Sequence, residues 1–337
     1  MTKNFSFGTT FSQVQCRYLG FSPDQIKQAY LDILDLGFGW IRLGSHWDEI
    51  EAKENTFNFT QLDWYLKEAQ KRDVNIVLTV GIKAPRYPEF YFPEWVIERF
   101  PKETSGKTRA VDHNPELAWL ALKFIEKVVK YTRDCPNIKY FQVENEPLVR
   151  VNFAGNRYLS LGFLQKELAL VTKLKQEKQK IEINHSKSVW PIPIPGYHDR
   201  THLNHSIKLA DAVGLDVYAK VPLSSFIPFP FKNVYLTPFP FYFWNRVQSW
   251  YQKIIQAGKE AWITECQAEP WEHGSAFHIQ KREYPSSNPE MAEKLALKFK
   301  AIGYKPILLW GCEHWYYHKI HGHMEWWEKM QHLAYNL

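Results

Sequence analysis

No apolar run in these 337 residues approaches the roughly 18 needed to span a bilayer, which argues against a transmembrane helix. Cysteine is scarce. Cys16, Cys135, Cys266 and Cys312 lie far apart and form no C-x-x-C pair, so reduced thiols in a cytoplasmic protein are expected rather than a disulfide framework. The first eight residues contain no apolar stretch of the signal-peptide kind, which points the same way. Excess charge is small as well: a net +6 is mild for this length, and the lysines are spread over helix faces such as 173–180. Without a basic stripe or an RNA- or DNA-binding motif, nucleic acid is not an expected partner. No glycine-rich phosphate loop follows the first apolar run, which argues against a dinucleotide-binding fold. Low-complexity linkers, charge blocks and long internal repeats are also missing, so one domain over 1–337 is expected.

What the chain does have is aromatic residues and alternation. The 14 tryptophans are enough to fill a core and still leave rings that can stack on sugar faces. Short apolar runs predict strands at 5–10, 40–43, 75–80, 138–143, 181–184, 212–218, 261–264 and 306–310. Helical periodicity falls between or after them, near 23–36, 61–72, 116–133, 160–179, 199–210, 244–257, 289–302 and 325–334. The first helix is announced by Ser22-Pro23-Asp24-Gln25, which combines a cap residue, a first-turn proline and a capping-box glutamine. Eight strands alternating with eight helices predict an α/β fold of the (β/α)8 barrel type. One segment breaks the rhythm. Residues 221–244 are rich in proline and aromatics, carry little charge, and should not form a regular helix. After the sixth strand they would lie on the catalytic face, either packed on the barrel rim or forming an apolar wall for a lipid or aromatic aglycone, or a membrane-surface contact.

Two glutamates stand where such a barrel keeps its catalytic groups, at the C-terminal ends of strands. Glu146 lies in Phe141-Gln142-Val143-Glu144-Asn145-Glu146-Pro147 after the fourth strand, and Glu265 lies in Ala261-Trp262-Ile263-Thr264-Glu265-Cys266 at the seventh. Two carboxylates across one mouth equip a retaining glycosidase, in which one protonates the leaving oxygen and the other attacks the anomeric carbon. With these residues in view, the chain resembles the clan of (β/α)8 retaining glycoside hydrolases, the group that includes cellulases and β-galactosidases. Asn145-Glu146-Pro147 matches the clan's Asn-Glu-Pro signature at strand four, and Glu265 occupies the strand-seven position. The resemblance implies Glu146 as acid/base and Glu265 as nucleophile in hydrolysis of a β-glycoside by double displacement, with no cofactor. It also implies Arg42 and Tyr218 as donors to the nucleophile, Asn145 as a donor to the sugar 2-hydroxyl, and Trp310 as the aromatic floor beneath the sugar. A raised pKa for Glu146, from partial burial and a neighbouring negative charge, would suit its first role as an acid.

Other strand-end groups could contact a carbohydrate substrate: Trp47, His185, Gln267 and Trp271, and beyond them His46, Lys83, Glu269, Glu313 and Trp315. His314, His318, His321 and His323 with Glu325 match no metal-site spacing and are expected to be solvated or to brace a loop, so no metal is expected. Cys266 should point away from the face that carries Glu265 and serve packing. A transglycosylase would use the same residues. A catalytically silent carbohydrate-binding barrel would keep the aromatics and lose the carboxylates, and a metal-dependent barrel hydrolase would need clustered ligands at strand ends.

Overall fold

The apolar runs do form strands: β1 (Asn4–Thr10), β2 (Phe38–Gly44), β3 (Asn75–Val80), β4 (Ile138–Val143), β5 (Lys180–Ser186), β6 (Ala212–Val217), β7 (Glu260–Gln267) and β8 (Ile307–Trp310). All of β6 and β8 is buried, as strands covered on both faces must be, and this is why they read as continuous apolar runs rather than as alternation. The strands close into a barrel in the order β1-β8-β7-β6-β5-β4-β3-β2. Pairing is parallel, with Phe7 opposite Ile307, Ile307 opposite Ile263, and Phe141 opposite Leu78 and Ile181. A computed structural model provides these coordinates and describes residues 3–106, 110–150, 157–186, 202–222, 234–237, 239–272 and 285–335.

A helix follows each strand: α1 (Pro23–Asp35), α2 (Thr60–Lys71), α3 (Pro115–Thr132), α4 (Leu161–Leu174), α5 (His202–Leu209), α6 (Pro240–Gln256), α7 (Pro289–Ile302) and α8 (Glu325–Tyr335). The capping box at α1 is complete. Ser22 Oγ accepts from the Gln25 amide at 3.3 Å, and the Gln25 side chain accepts from the Ser22 amide at 2.9 Å. Asn114, Ser160 and Asn288 cap α3, α4 and α7 by accepting first-turn amides on their side-chain oxygens. The chain divides into two compact units. One contains Leu215–Leu337 and Met1–Ile41, with a core that includes Trp262 against Trp40 at 5.4 Å. The other contains Arg42–Ser186 and Asp199–Gly214, with Trp47 stacked on Phe124 at 5.4 Å.

Several expectations need correction. Helix α4 stops at Leu174 rather than near 179, because Lys175 turns extended and Gln179 folds back to accept from the Gln176 amide at 2.9 Å just before β5. Residues 221–244 are not one loop. Val221–Pro222 pairs antiparallel with Tyr235–Leu236, and α6 begins at Pro240, a first-turn position where proline is tolerated. Residues 223–233 and 238 of that segment, and 199–201 of the expected fifth helix, lie outside the described residues. Short helices at Gln13–Tyr18, Trp47–Ile50, Glu94–Arg99, Pro101–Thr104 and Cys312–Ile320 were not foreseen. The last of these buries His314 and His318, with their rings 4.2 Å apart and His314 edge-on to Trp326, so these two are core groups rather than solvated ones. Among the described residues, no helix is long and apolar enough to cross a membrane.

Candidate active site

The chain leaves β4 through a tight, strained turn. Glu144 and Glu146 both adopt positive φ, +63° and +45°, in the left-handed region that non-glycine residues enter only where their surroundings compel it. Those surroundings are backbone hydrogen bonds. The Glu144 amide donates to Val80 O at 2.8 Å and the Asn145 amide to Lys83 O at 2.9 Å, while the Glu146 amide donates to Asn184 Oδ1 at 2.8 Å. Lys83, fully buried, donates from Nζ to Glu146 O at 2.9 Å and pairs with Glu89 at 3.1 Å. Asn145 is itself fixed, since its Oδ1 accepts from Asn184 Nδ2 at 2.9 Å, which leaves the amide NH2 as the group free to meet a ligand. Glu146 therefore projects from a turn whose three residues are each tied to β3 or β5 or to the segment after β3.

Beneath the turn lies a second pair of carboxyl groups. The Glu144 side chain accepts from the Ile82 amide at 2.9 Å and the Lys83 amide at 2.6 Å, and touches Glu167 of α4. Both are fully buried. Burial pushes the Glu144 carboxyl up to about 7 despite the two amides, and burial together with the negative charge of Glu144 holds Glu167 well above the ordinary carboxylate range. Gly81 makes room for this arrangement. With φ +133°, it comes so close that an added Cβ would sit 2.1 Å from the Glu144 carboxyl carbon.

On the other unit, Glu265 is nearly buried and lies inside β7 rather than after it, because the strand runs on to Gln267. The Tyr218 hydroxyl, one residue past β6, donates to Glu265 Oε2. The Tyr218 ring meets Trp271 at 4.4 Å, and the Trp271 amide donates to Ser286 Oγ at 2.8 Å, a serine held in turn by Glu272. One residue before Glu265, Thr264 donates to Asp216 at 2.6 Å, joining the ends of β6 and β7. Trp310 closes β8 in register with Gln267 and is 8% exposed. Cys266 is fully buried and burial pushes its thiol far up, as a packing group would show.

The remaining sequence candidates separate. Arg42 is fully buried in β2, where its Nη1 donates to Gln142 Oε1 at 3.4 Å. His185 is buried near the end of β5. Trp47 is a correction. It lies wholly inside its unit, stacked on Phe124, with its indole N–H given to Glu51 at 2.8 Å, so no ring face is left for a sugar. Gln267 lines a cavity of about 230 Å³ with Trp244, Ser286 and Lys298, and its Nε2 has no partner among the described residues. Among the described residues no cluster of three metal-ligating side chains occurs. Sequence reading missed Glu144, Glu167 and Asn184. The signal for Glu167 was present: it interrupts the apolar stripe of α4 formed by Phe163, Leu164, Leu168 and Val171.

A family model for β-galactosidases, glycoside hydrolase family 42, matches residues 21–158. The chain resembles the barrel glycoside hydrolases. A β-galactosidase from the Antarctic haloarchaeon Halorubrum lacusprofundi superposes with a TM-score of 0.63 at 13% identity, covering 97% of this chain and 57% of that one. A β-galactosidase from the psychrophilic Marinomonas ef1 gives 0.66 at 11% identity, covering 98% and 59%. Xylanase 10B from Thermotoga maritima gives 0.57 at 13% identity, covering 91% and 83%. These superpositions establish the shared (β/α)8 fold, and the chain spans less than three fifths of the two β-galactosidases. No curated protein matches the chain. The matched stretch 21–158 runs from α1 through β4 and includes Glu146.

Proposed function

We propose that the chain is a retaining glycosidase that cleaves a β-glycosidic O-linkage, with Glu146 as acid/base and Glu265 as nucleophile. The observation that carries the reading is the setting of Glu265: a nearly buried carboxylate within β7, given a phenolic O–H by Tyr218. Such a donor fixes one oxygen and leaves the other to attack. Barrels of this type keep their catalytic groups at C-terminal strand ends, and Glu146 follows β4 while Glu265 lies in the C-terminal half of β7. Glu146 gives its proton to the departing oxygen as Glu265 forms the glycosyl ester. Loss of the Glu265 charge then lets Glu146 take a proton from water, which breaks the ester and returns both carboxyls to their starting states. The Asn145 amide donates to the 2-hydroxyl, an interaction that tightens as the ring approaches an oxocarbenium ion. Trp310 and Trp271 supply ring faces to the sugar.

The family model makes a β-galactoside the first substrate to try. Phe239 and Phe241, 82% and 81% exposed at the start of α6, offer an apolar surface for an aglycone or a lipid headgroup region. Four cysteines with no disulfide among them fit a reducing, cytoplasmic setting. Hydrolysis of a panel of aryl β-glycosides by the wild type, Glu146→Gln and Glu265→Gln tests the proposal. Cleavage with retained anomeric configuration by the wild type and loss in both variants is expected. Full activity in either variant, or inversion, would refute it.

A further inference from the structure

Behind the turn that presents Asn145 and Glu146 lie two fully buried carboxyl groups, Glu144 and Glu167. Glu144 holds the turn to the segment after β3 by accepting two backbone amides. An ionised carboxylate is the better acceptor for both. Its contact with Glu167 is therefore the critical one, because two ionised carboxylates in contact at a fully buried site repel each other and cannot both stay charged. Neither oxygen of Glu167 receives an N–H or O–H from another described residue, so the hydrogen in this contact has to be a carboxyl proton. The charged neighbours decide which side carries it. Lys83, after β3, favours ionised Glu144, whereas Asp112, ahead of α3, disfavours ionised Glu167.

We propose that Glu167 is a protonated positioning residue whose O–H donates to the Glu144 carboxylate, and that this carboxyl–carboxylate bond, with the amides of Ile82 and Lys83, fixes the turn bearing Asn145 and Glu146. Only the kinetic consequence rests on Glu146 being the acid/base. The protonation and its effect on the turn do not.

The first test is infrared spectroscopy of the full chain at pH 7. Relative to the wild type, Glu167→Gln should lose the carbonyl band of one buried protonated carboxylic acid. A wild type without the band, or a variant that keeps it unchanged, overturns the assignment. The second test is kinetic, on an aryl glycoside that the wild type cleaves. Glu167→Leu, which cannot donate, should lower kcat about a hundredfold with little change in KM, the loss expected when a reacting group is misplaced by about an ångström. Glu167→Gln still donates an N–H and should recover most of that loss. A folded Glu167→Leu protein with wild-type kcat overturns the positioning role. If Glu167→Leu does not fold, Glu167→Gln decides: it should hold kcat within about tenfold of wild type, and a hundredfold fall in this conservative variant counts against the proposal. If no glycoside is cleaved at all, the reading of Glu146 fails while the infrared result still judges the pair.

Discussion

Replacing Gly81 by alanine tests whether the fold is built around the Glu144 carboxylate. The new methyl carbon would lie 2.1 to 2.5 Å from the three atoms of that carboxyl group, well inside any tolerated contact. Glu144 has no free space to enter, being fully buried, so the carboxylate must leave the Ile82 and Lys83 amides. Hydrogen bonds to a charged group contribute about 1.5 to 3 kcal/mol each, and both are at risk. A side chain at φ +133° adds about 1 to 2 kcal/mol of backbone strain. The expected cost is therefore about 4 to 8 kcal/mol, comparable with the roughly 5 to 15 kcal/mol that keeps a domain folded. Gly258 is the control. It has φ +73° with nothing within 4 Å of an added Cβ, so Gly258→Ala should cost only the backbone part, about 1 to 2 kcal/mol. Urea denaturation of the two variants beside the wild type gives the comparison. If Gly81→Ala is no less stable than Gly258→Ala, the carboxylate is not held as described.

Tyr218→Phe removes one donor to Glu265, worth about 1.5 to 3 kcal/mol, so kcat/KM on a cleaved glycoside should fall roughly ten- to hundredfold, and an unchanged value would deny Tyr218 its role. His318 is held down to about 4 by burial and by its histidine neighbours, below the ordinary 6.5. The unfolded chain therefore binds the extra proton in that window, and stability should be lost as pH falls from about 6.5 towards 4, on the order of 2 kcal/mol. Melting temperatures across that range should change less steeply for His318→Gln than for the wild type, and equal slopes would contradict the assignment. The carboxyl pair acts with the opposite sign. Both groups lie above their ordinary 4.5 when folded, so their contribution is full below about 4.5 and is lost as pH rises through about 7, a trend that Glu167→Gln should flatten. Cys16, Cys266 and Cys312 are buried and Cys135 is half-buried, so a thiol reagent should modify Cys135 first in the native protein and all four after denaturation.

Much of this architecture was legible in the sequence. Buried strands of a parallel barrel leave continuous apolar runs, and caps such as Ser22-Pro23-Asp24-Gln25 mark where helices begin, so the positions of β3 and β4 and the start of α1 could be read directly. The two candidate glutamates could be proposed from sequence because chemistry in this fold gathers at strand ends. What escaped is tertiary. Trp47 reads as a strand-end aromatic, and only the short helix Trp47–Ile50 and the approach of Phe124 turn it inward. His314 and His318 look like part of a polar loop until Cys312–Ile320 folds into a helix that buries both. Pro240 seemed to exclude a helix, yet at a first turn it has no amide bond to lose. Glu167 needed Glu144 to make sense, and no local pattern links residues on β4's turn and α4. Burial also raises two carboxyls behind that turn, Glu144 and Glu167, which no local sequence pattern announces.

The most direct test of the catalytic account is azide rescue of Glu265→Ala and Glu146→Ala on an activated aryl β-glycoside that the wild type hydrolyses, with the anomeric form of each glycosyl azide determined by NMR. An α-azide from the Glu265 variant is predicted, because azide would take the place of the missing nucleophile. A β-azide is predicted from the Glu146 variant, where azide would intercept the glycosyl ester that the missing base cannot hydrolyse. The reverse pattern would exchange the two roles, and variants that keep wild-type hydrolysis without azide would remove both glutamates from the chemistry.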